Sequence, residues 1–213
     1  MKNYISNQDE SVPLFENPFL DKFTHVHFTI PLYVYLPVVA WFLYQAAIDP
    51  WLNTTGVIVL FACGLFFWTF SEYILHRFVF HYQPSSKWGQ YLHFLLHGIH
   101  HAYPNDSTRL VMPPSVSIPL AVLFYYLFVM VLGASAAGPF FAAFIVGYLS
   151  YDMIHYATHH FAMKGRVGLF LKKHHMRHHY QNDERFYGVS TPIWDVVFGT
   201  MKSAAKEKEA VSA

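Results

Sequence analysis

Thirteen of the fifteen histidines in this 213-residue chain fall into four short clusters. His76 and His81 lead to His93, His97, His100 and His101, while His155, His159 and His160 lead to His174, His175, His178 and His179. In each half an H-x(3 or 4)-H element precedes an H-x-x-H-H element, and sixteen positions carry His81 to His97 just as sixteen carry His159 to His175. The pattern reads as one metal-binding unit used twice, and it points to a two-metal site. Neutral imidazole ligates iron, zinc, copper or nickel without adding charge, so a buried metal keeps its positive charge. A solvated chelating tract would also gather histidines, but these clusters are spaced and sit beside long apolar stretches.

Helical spacing places some of these rings together. His155 and His159, four apart, share one helix face. His97 and His100, three apart, are expected to share another, with His101 turned about 100° away, so that one segment feeds two neighbouring metals. Glu72 lies four residues before His76 and Asp152 three before His155, in corresponding places of the two halves. An ionisable group at membrane depth is costly and normally partnered, and a ligating imidazole commonly donates its second N–H to a carboxylate. Both acids are therefore expected to orient ligands, the plainer alternative being helix capping near the interface.

The elements that must position these residues follow from composition. The chain is 54% apolar, 19% aromatic and only 13% charged, and its mean hydropathy is +0.24. Such values mark a membrane protein rather than a soluble domain of average usage. Four apolar stretches, 28–48, 55–75, 115–132 and 138–154, approach the roughly 20 helical residues that cross a bilayer. All fourteen lysines and arginines lie before the first span, between the second and third, or after the fourth. The positive-inside rule then turns the connectors 49–54 and 133–137 outward and places both termini, with every histidine, on the cytoplasmic side. The expected fold is all-α, an integral membrane protein with four transmembrane helices as two hairpins under a cytoplasmic histidine-rich helical cap that holds the dimetal centre. A re-entrant hairpin would keep the histidines on one face equally well. A single domain over 28–200 is expected, between a cytoplasmic N-terminal segment 1–27 and a C-terminal tail 201–213, both read as mobile, with His25 and His27 interfacial rather than ligating.

Several classes fall away. A net charge of +1 without a basic tract gives no nucleic-acid partner. The single cysteine, Cys63, sits inside a span and excludes a disulfide framework or a cysteine-based zinc knuckle. Ten or more histidines exceed the four ligands of a closed structural site. A redox-active pair, with iron the leading candidate, could instead reduce dioxygen and attack an unactivated C–H bond, and a membrane lipid is the natural substrate. A metal transporter would need polar groups on both sides of the membrane, and a metal-dependent hydrolase would work without dioxygen or reductant.

The runs HRFVFH (76–81), HFLLHGIHHAYPNDSTRLVMPP (93–114), GYLSYDMIHYATHH (147–160), HHMRHHY (174–180) and YGVSTPIWDVVFGT (187–200) resemble those of the fatty acid hydroxylase and sterol desaturase superfamily. The fatty acid 2-hydroxylase branch is the most similar. The resemblance extends from about Phe15 onward. It implies a membrane enzyme that uses two metal ions and dioxygen to hydroxylate the carbon next to the carboxyl or amide of a fatty acyl chain, often within a sphingolipid. It implies as ligands His76, His81, His97, His100, His101, His155, His159, His175, His178 and His179, and leaves His93, His160 and His174 in supporting roles. Iron is implied for activity, although members of this group can be isolated with zinc. The 27 residues before the first span are too few for the cytochrome b5 domain of eukaryotic relatives, so a separate cytochrome b5 or ferredoxin is expected to deliver electrons. The compact form favours a bacterial inner membrane over an endoplasmic reticulum. A sterol or carotenoid oxygenase or desaturase of the same superfamily is the alternative.

Among polar residues of the cap, Tyr82, Asp106 and Arg109 are candidates to hold a lipid head group, since guanidinium binds carboxylate or phosphate in a bidentate way. The last two could equally form an ordinary loop ion pair. Tyr151 and Tyr156 alternate with ligands and are expected to line the pocket, while Pro113 and Pro114 are expected to separate the cap from the third span.

Overall fold

A computed structural model of the chain describes residues 4–201. The tail expected over 201–213 lies outside the described residues apart from Met201. Among the described residues every regular element is helical.

Four apolar helices are long enough to span a bilayer, and they come in two unequal pairs. Within each pair a 19-residue helix, α2 (Ile30–Ile48) or α6 (Pro114–Leu132), is followed by a 27-residue one. The first long helix runs Thr54–Phe80 and combines α3 (Thr54–Leu75) with a π-helical turn, His76–Phe80. The second is α7 (Ala134–His160). At about 1.5 Å per residue the short helices match a hydrocarbon core of about 30 Å, while the long ones reach about 40 Å. Their surplus turns carry His76 in one half and His155 and His159 in the other. Length thus lifts the first ligand candidates of each half to the edge of the bilayer.

The connectivity is that of two hairpins, but the packing is organised around α7, which lies against α2, α3 and α6. Of its most apolar eighteen residues 72% are buried, against 17–28% in the other three helices, whose outward faces are left for lipid. Close approach is made by small residues, as membrane helix packing favours. A Cβ on Gly64 would lie 2.2 Å from the Phe140 carbonyl oxygen, and one on Gly147 2.4 Å from the Trp68 ring. Tyr35, Trp68, Phe128, Phe141, Phe144 and Tyr148 complete this aromatic core. The connector expected over 133–137 narrows to Gly133, whose φ of 79° lets the chain reverse in one residue before α7 begins. Pro114 opens α6 at its first turn, where its missing N–H costs nothing.

Beyond the spans lie α4 (Lys87–His93), a second π-helical turn (Phe94–Gly98), α5 (Ile99–Ala102) and α8 (Gly165–Tyr180), while α9 (Ile193–Val197) folds back along α3, its Trp194 ring against Phe66 and Phe70 and its Nε1–H donating to the Thr69 hydroxyl at 2.9 Å. The N-terminal segment with α1 (Pro18–Lys22) was expected to be loose. Its described part is instead tied down as a strap. Ile5 N–H donates to the Ala102 carbonyl at 2.8 Å and Val26 N–H to that of Thr108 at 2.7 Å, while the Tyr180 hydroxyl donates to Asn7 Oδ1 at 2.6 Å.

Because a carbonyl in a packed helix cannot yield as a side chain can, Gly64→Val is expected to destabilise the bundle by about 1–3 kcal/mol or more. A fall of several degrees in the thermal unfolding midpoint in detergent would register it. Gly168→Ala, where the added carbon meets only ordinary contacts, should leave that midpoint in place.

Candidate metal centre

The ten histidines singled out above converge into two groups of five. His76, His81, His97, His101 and His178 form one, and His100, His155, His159, His175 and His179 the other; within each, one nitrogen from every ring lies within 4.8 Å of all the rest. In the first group His97 Nε2 lies 3.2 Å from His76 Nε2, 3.1 Å from His81 Nε2 and 3.0 Å from His101 Nε2. In the second, His100 Nε2 lies 2.9 Å from His155 Nε2 and 3.0 Å from His179 Nε2, and His175 Nε2 lies 2.9 Å from His159 Nε2. Every one of these rings presents Nε2 inward. A metal ion could occupy each group, and lone pairs aimed at a shared centre are the donor set that such an ion fits.

Local winding explains the register. His155 and His159 are four apart on a regular α-helix, whereas His76 and His81 are five apart, a spacing that an α-helix would splay by about 140°. The π-helical turn removes that splay: His81 N–H donates to the His76 carbonyl at 3.2 Å, five residues back, so rings five apart meet. In H-x-x-H-H the grouping differs from the expected one. His97 pairs with His101 rather than His100, and His175 with His179, because residues four apart deviate by only about 40° on an ideal helix against about 60° for three. The middle histidine of each element, His100 or His178, crosses to the other half's group. Each site is thus built from four imidazoles of one repeat and one of the other.

Second nitrogens are aimed by backbone. His76 Nδ1–H donates to the Tyr187 carbonyl, His178 Nδ1–H to that of Arg185 at 2.7 Å, and His155 Nδ1–H to that of Leu110 at 3.1 Å. A proton fixed on Nδ1 leaves Nε2 free to ligate. Burial, together with repulsion between neighbouring imidazoles, holds His97, His100, His101, His175 and His179 well below the usual histidine range. They therefore stand neutral, as ligation requires.

Glu72 and Asp152 do not play the expected role of direct ring acceptors. Glu72 accepts from the Val189 N–H at 2.7 Å, the Ser190 N–H at 2.8 Å and the Ser190 hydroxyl. It orients His76 at one remove, by holding the loop whose Tyr187 carbonyl receives the ring proton. Asp152 is buried and faces Tyr148 and the Met112 N–H rather than an imidazole ring, and the Leu110 carbonyl takes the His155 proton instead.

Asp195, which sequence reasoning passed over, clamps the other side of the same loop. It accepts from Tyr187 N–H at 2.9 Å, Gly188 N–H at 2.8 Å, the Thr200 hydroxyl at 2.6 Å and His174 Nε2 at 2.9 Å. Burial pushes its carboxyl up, but these donors outweigh burial and hold it below the usual carboxylate range. His174 thus braces the loop. His93 and His160 lie outside both groups, each with a buried, unpaired Nε2.

Arg109 and Asp106 are not available to a head group. Their side chains are buried, joined to each other at 3.2 Å, and engaged with the strap: Arg109 donates to the Val12 carbonyl and to His25, and Asp106 accepts from Ser11. His25 is accordingly part of a polar anchor and, as expected, lies outside both histidine groups. Tyr156 stacks between Phe28, which leads into α2, and His160 at the end of α7. Tyr151 stacks on His155 at 5.6 Å, and Tyr82 is exposed beside His81.

The sequence model for fatty acid hydroxylases matches residues 61–200, a range that holds all ten converging imidazoles and the loop that aims them. The chain belongs to the fatty acid hydroxylase family. Among fatty acid hydroxylases it is 35% identical over 202 residues to the dihydroceramide fatty acyl 2-hydroxylase FAH1 of Arabidopsis thaliana, covering 94% of this chain and 84% of the relative. Over 193 residues it is 40% identical to the ceramide very long chain fatty acid hydroxylase SCS7 of Saccharomyces cerevisiae, covering 89% of this chain and 49% of the relative. The fatty acid 2-hydroxylase of Mus musculus is 42% identical over 147 residues, 67% of this chain and 39% of that one. The solved hydroxylase domain of scs7p superposes with a TM-score of 0.85 at 39% identity, covering 91% of this chain and 73% of that one.

Asp195→Ala leaves several buried donors stranded at about 1–3 kcal/mol each. It is expected to lower stability by at least about 3 kcal/mol in thermal unfolding, and to reduce bound metal by releasing the Tyr187 carbonyl from His76. Thr191→Ala, outside both carboxylate clamps, is the control that should retain metal.

Proposed function

We propose that this chain is a dioxygen-dependent lipid monooxygenase that hydroxylates carbon 2 of a fatty acyl chain, free or held in a sphingolipid. The convergence of ten imidazoles into two adjacent groups carries this reading, and the relatives' names, all of fatty acyl hydroxylases and none of sterol or carotenoid enzymes, support the substrate class. The ten histidines are assigned as ligands of two metal ions, iron in the working enzyme. Held by these ten histidines, such a pair would supply dioxygen activation, the overall reaction taking one oxygen atom into a C–H bond and the other into water, with two electrons and two protons consumed.

The residues of the chain position and insulate that chemistry. The Tyr187, Arg185 and Leu110 carbonyls keep three Nδ1 protons in place, so that the ring lone pairs stay on the metal side. Tyr151, stacked on His155, and Tyr82, exposed near His81, are assigned as the aromatic contacts of the acyl chain next to its reacting end. Exposed apolar side chains, Trp88, Leu92 and Leu96 on the cap and Ile193, Val196 and Phe198 on the segment folded back along α3, suit a cap seated in the lipid headgroup layer, which lets substrate enter without crossing water. The lysine and arginine distribution supports a cytoplasmic position for the cap, which belongs to a single catalytic unit over 28–200 preceded by the strap within 1–27. The matched relatives are eukaryotic and lend no support to a bacterial inner membrane over an endoplasmic reticulum. Electrons come from a redox protein of the cytochrome b5 or ferredoxin type.

Expression of the wild type under isotopically labelled oxygen gas should add 16 Da, or 18 Da with label, to acyl chains, localised to carbon 2 by fragmentation. His100→Ala and His178→Ala each remove one ligand from a different group, and each is expected to lower product at least about 100-fold together with metal content. Full product formation in either variant would end the dimetal assignment, and label appearing in sterols or carotenoids would end the acyl assignment.

A further inference from the structure

One charged face of the cap has no part in the chemistry above. Between Asp152 and Asp183 the chain contains no acidic residue but five basic ones, Lys164, Arg166, Lys172, Lys173 and Arg177. Three of these, with Leu169, Met176 and Tyr180, line a shallow depression of about 500 Å³ along the outer face of α8. Among the described residues no carboxylate lies within ion-pair distance of Lys172, Lys173 or Arg177. Lys172 donates to the Phe161 carbonyl and Arg177 faces the Phe186 ring, while Lys173 is exposed.

The opposite face of the same helix carries His175, His178 and His179, which serve both histidine groups. The depression is thus separated from both by one helix, about 10 Å thick with its side chains. Tyr180 bridges the two faces: it lines the depression, and its ring centroid lies 6.1 Å from that of His179.

We infer that this face of α8 docks the acidic surface of the electron-transfer protein that reduces the metal pair. The inference rests on the hydroxylase reading, which requires two electrons per turnover that histidine ligands do not supply. Unpaired positive charge draws an acidic partner and sets its orientation. A redox group seated over Tyr180 then has a short path through His179 into the second histidine group.

The test uses the full chain, metal-loaded, in nanodiscs of phosphatidylcholine, with the soluble domain of an acidic cytochrome b5 as probe. Binding is measured at rising salt, and product formation is compared between cytochrome-driven turnover and a small uncharged reductant. Lys173→Glu/Arg177→Glu is expected to weaken cytochrome binding at least about ten-fold at low salt and to flatten its salt dependence. Metal content and product made with the small reductant should stay at the wild-type level. Lys173→Glu alone, at an exposed position, should give a smaller change in the same direction. Cytochrome binding and cytochrome-driven product unchanged by charge reversal would overturn the docking assignment, as would a loss confined to binding of phosphatidylserine vesicles, which would mark the face as a lipid contact. If the wild type binds the cytochrome through these charges yet makes no hydroxylated lipid with either reductant, the docking stands and the hydroxylase reading fails.

Discussion

Imidazole nitrogens 2.9–3.2 Å apart, each facing others of its kind, are the contact on which the rest of this structure depends. Lone pairs directed at one another repel, and protonation to relieve them is opposed by burial and by the neighbouring rings. The arrangement becomes favourable when a cation lies between the nitrogens, because binding that cation also binds the fold together. The rings must also be held in register by the chain itself. That work falls to the carbonyls of Leu110, Arg185 and Tyr187, and behind the last of them to carboxylates that grip a single loop from both sides. Glu72 holds Val189 and Ser190, and Asp195 holds Tyr187 and Gly188, so four consecutive N–H groups are consumed in fixing one carbonyl against His76. The clamp reaches from α3 to α9 and makes the position of a ligand in one half depend on the C-terminal segment.

The membrane region serves the same constraint. Two 27-residue helices rise beyond the hydrocarbon, and α7 does so from inside the bundle, packed on three sides. A ligand helix that faced lipid on most of its surface, as α6 does, could rotate or tilt with the bilayer. Burying α7 removes that freedom, and small residues such as Gly147, which admits the Trp68 ring, allow that burial. Hydropathy therefore finds the span but understates its structural weight.

What the sequence could disclose follows the same division. Histidines announce themselves by type and spacing, so the four clusters were legible, as were four spans, while the particular ten that converge came with the family resemblance. Their partition into two groups was not legible, because it turns on a π-helical turn at His76–Phe80 and on the choice between i+3 and i+4 partners, which differ by only about 20° of offset from the first ring. The orienting groups were hidden for a different reason. Three are backbone carbonyls, which have no signature in residue type, and Asp195 is a lone acid in an apolar stretch whose importance lies in the N–H groups around it. Glu72 was noticed for the right property, a charge buried at membrane depth, but its partner lies 117 positions away. Arg109 and Asp106 look like ligand-binding residues in isolation, and only the strap packed over them shows that their hydrogen-bonding capacity is already taken.

The crossing of His100 and His178 bears on why two sites exist at all. His100 and His101 are adjacent in sequence, as are His178 and His179, yet each pair divides between the two groups. Ring centroids of these neighbours are only 5.8 and 5.5 Å apart, and His101 stacks on His179 across the boundary at 4.4 Å. Two ions held this way cannot be remote from each other, and neither repeat can complete a site alone. A duplicated unit that kept all five ligands to itself would leave two independent sites free to drift apart. Exchange of one histidine in each direction ties the two groups together.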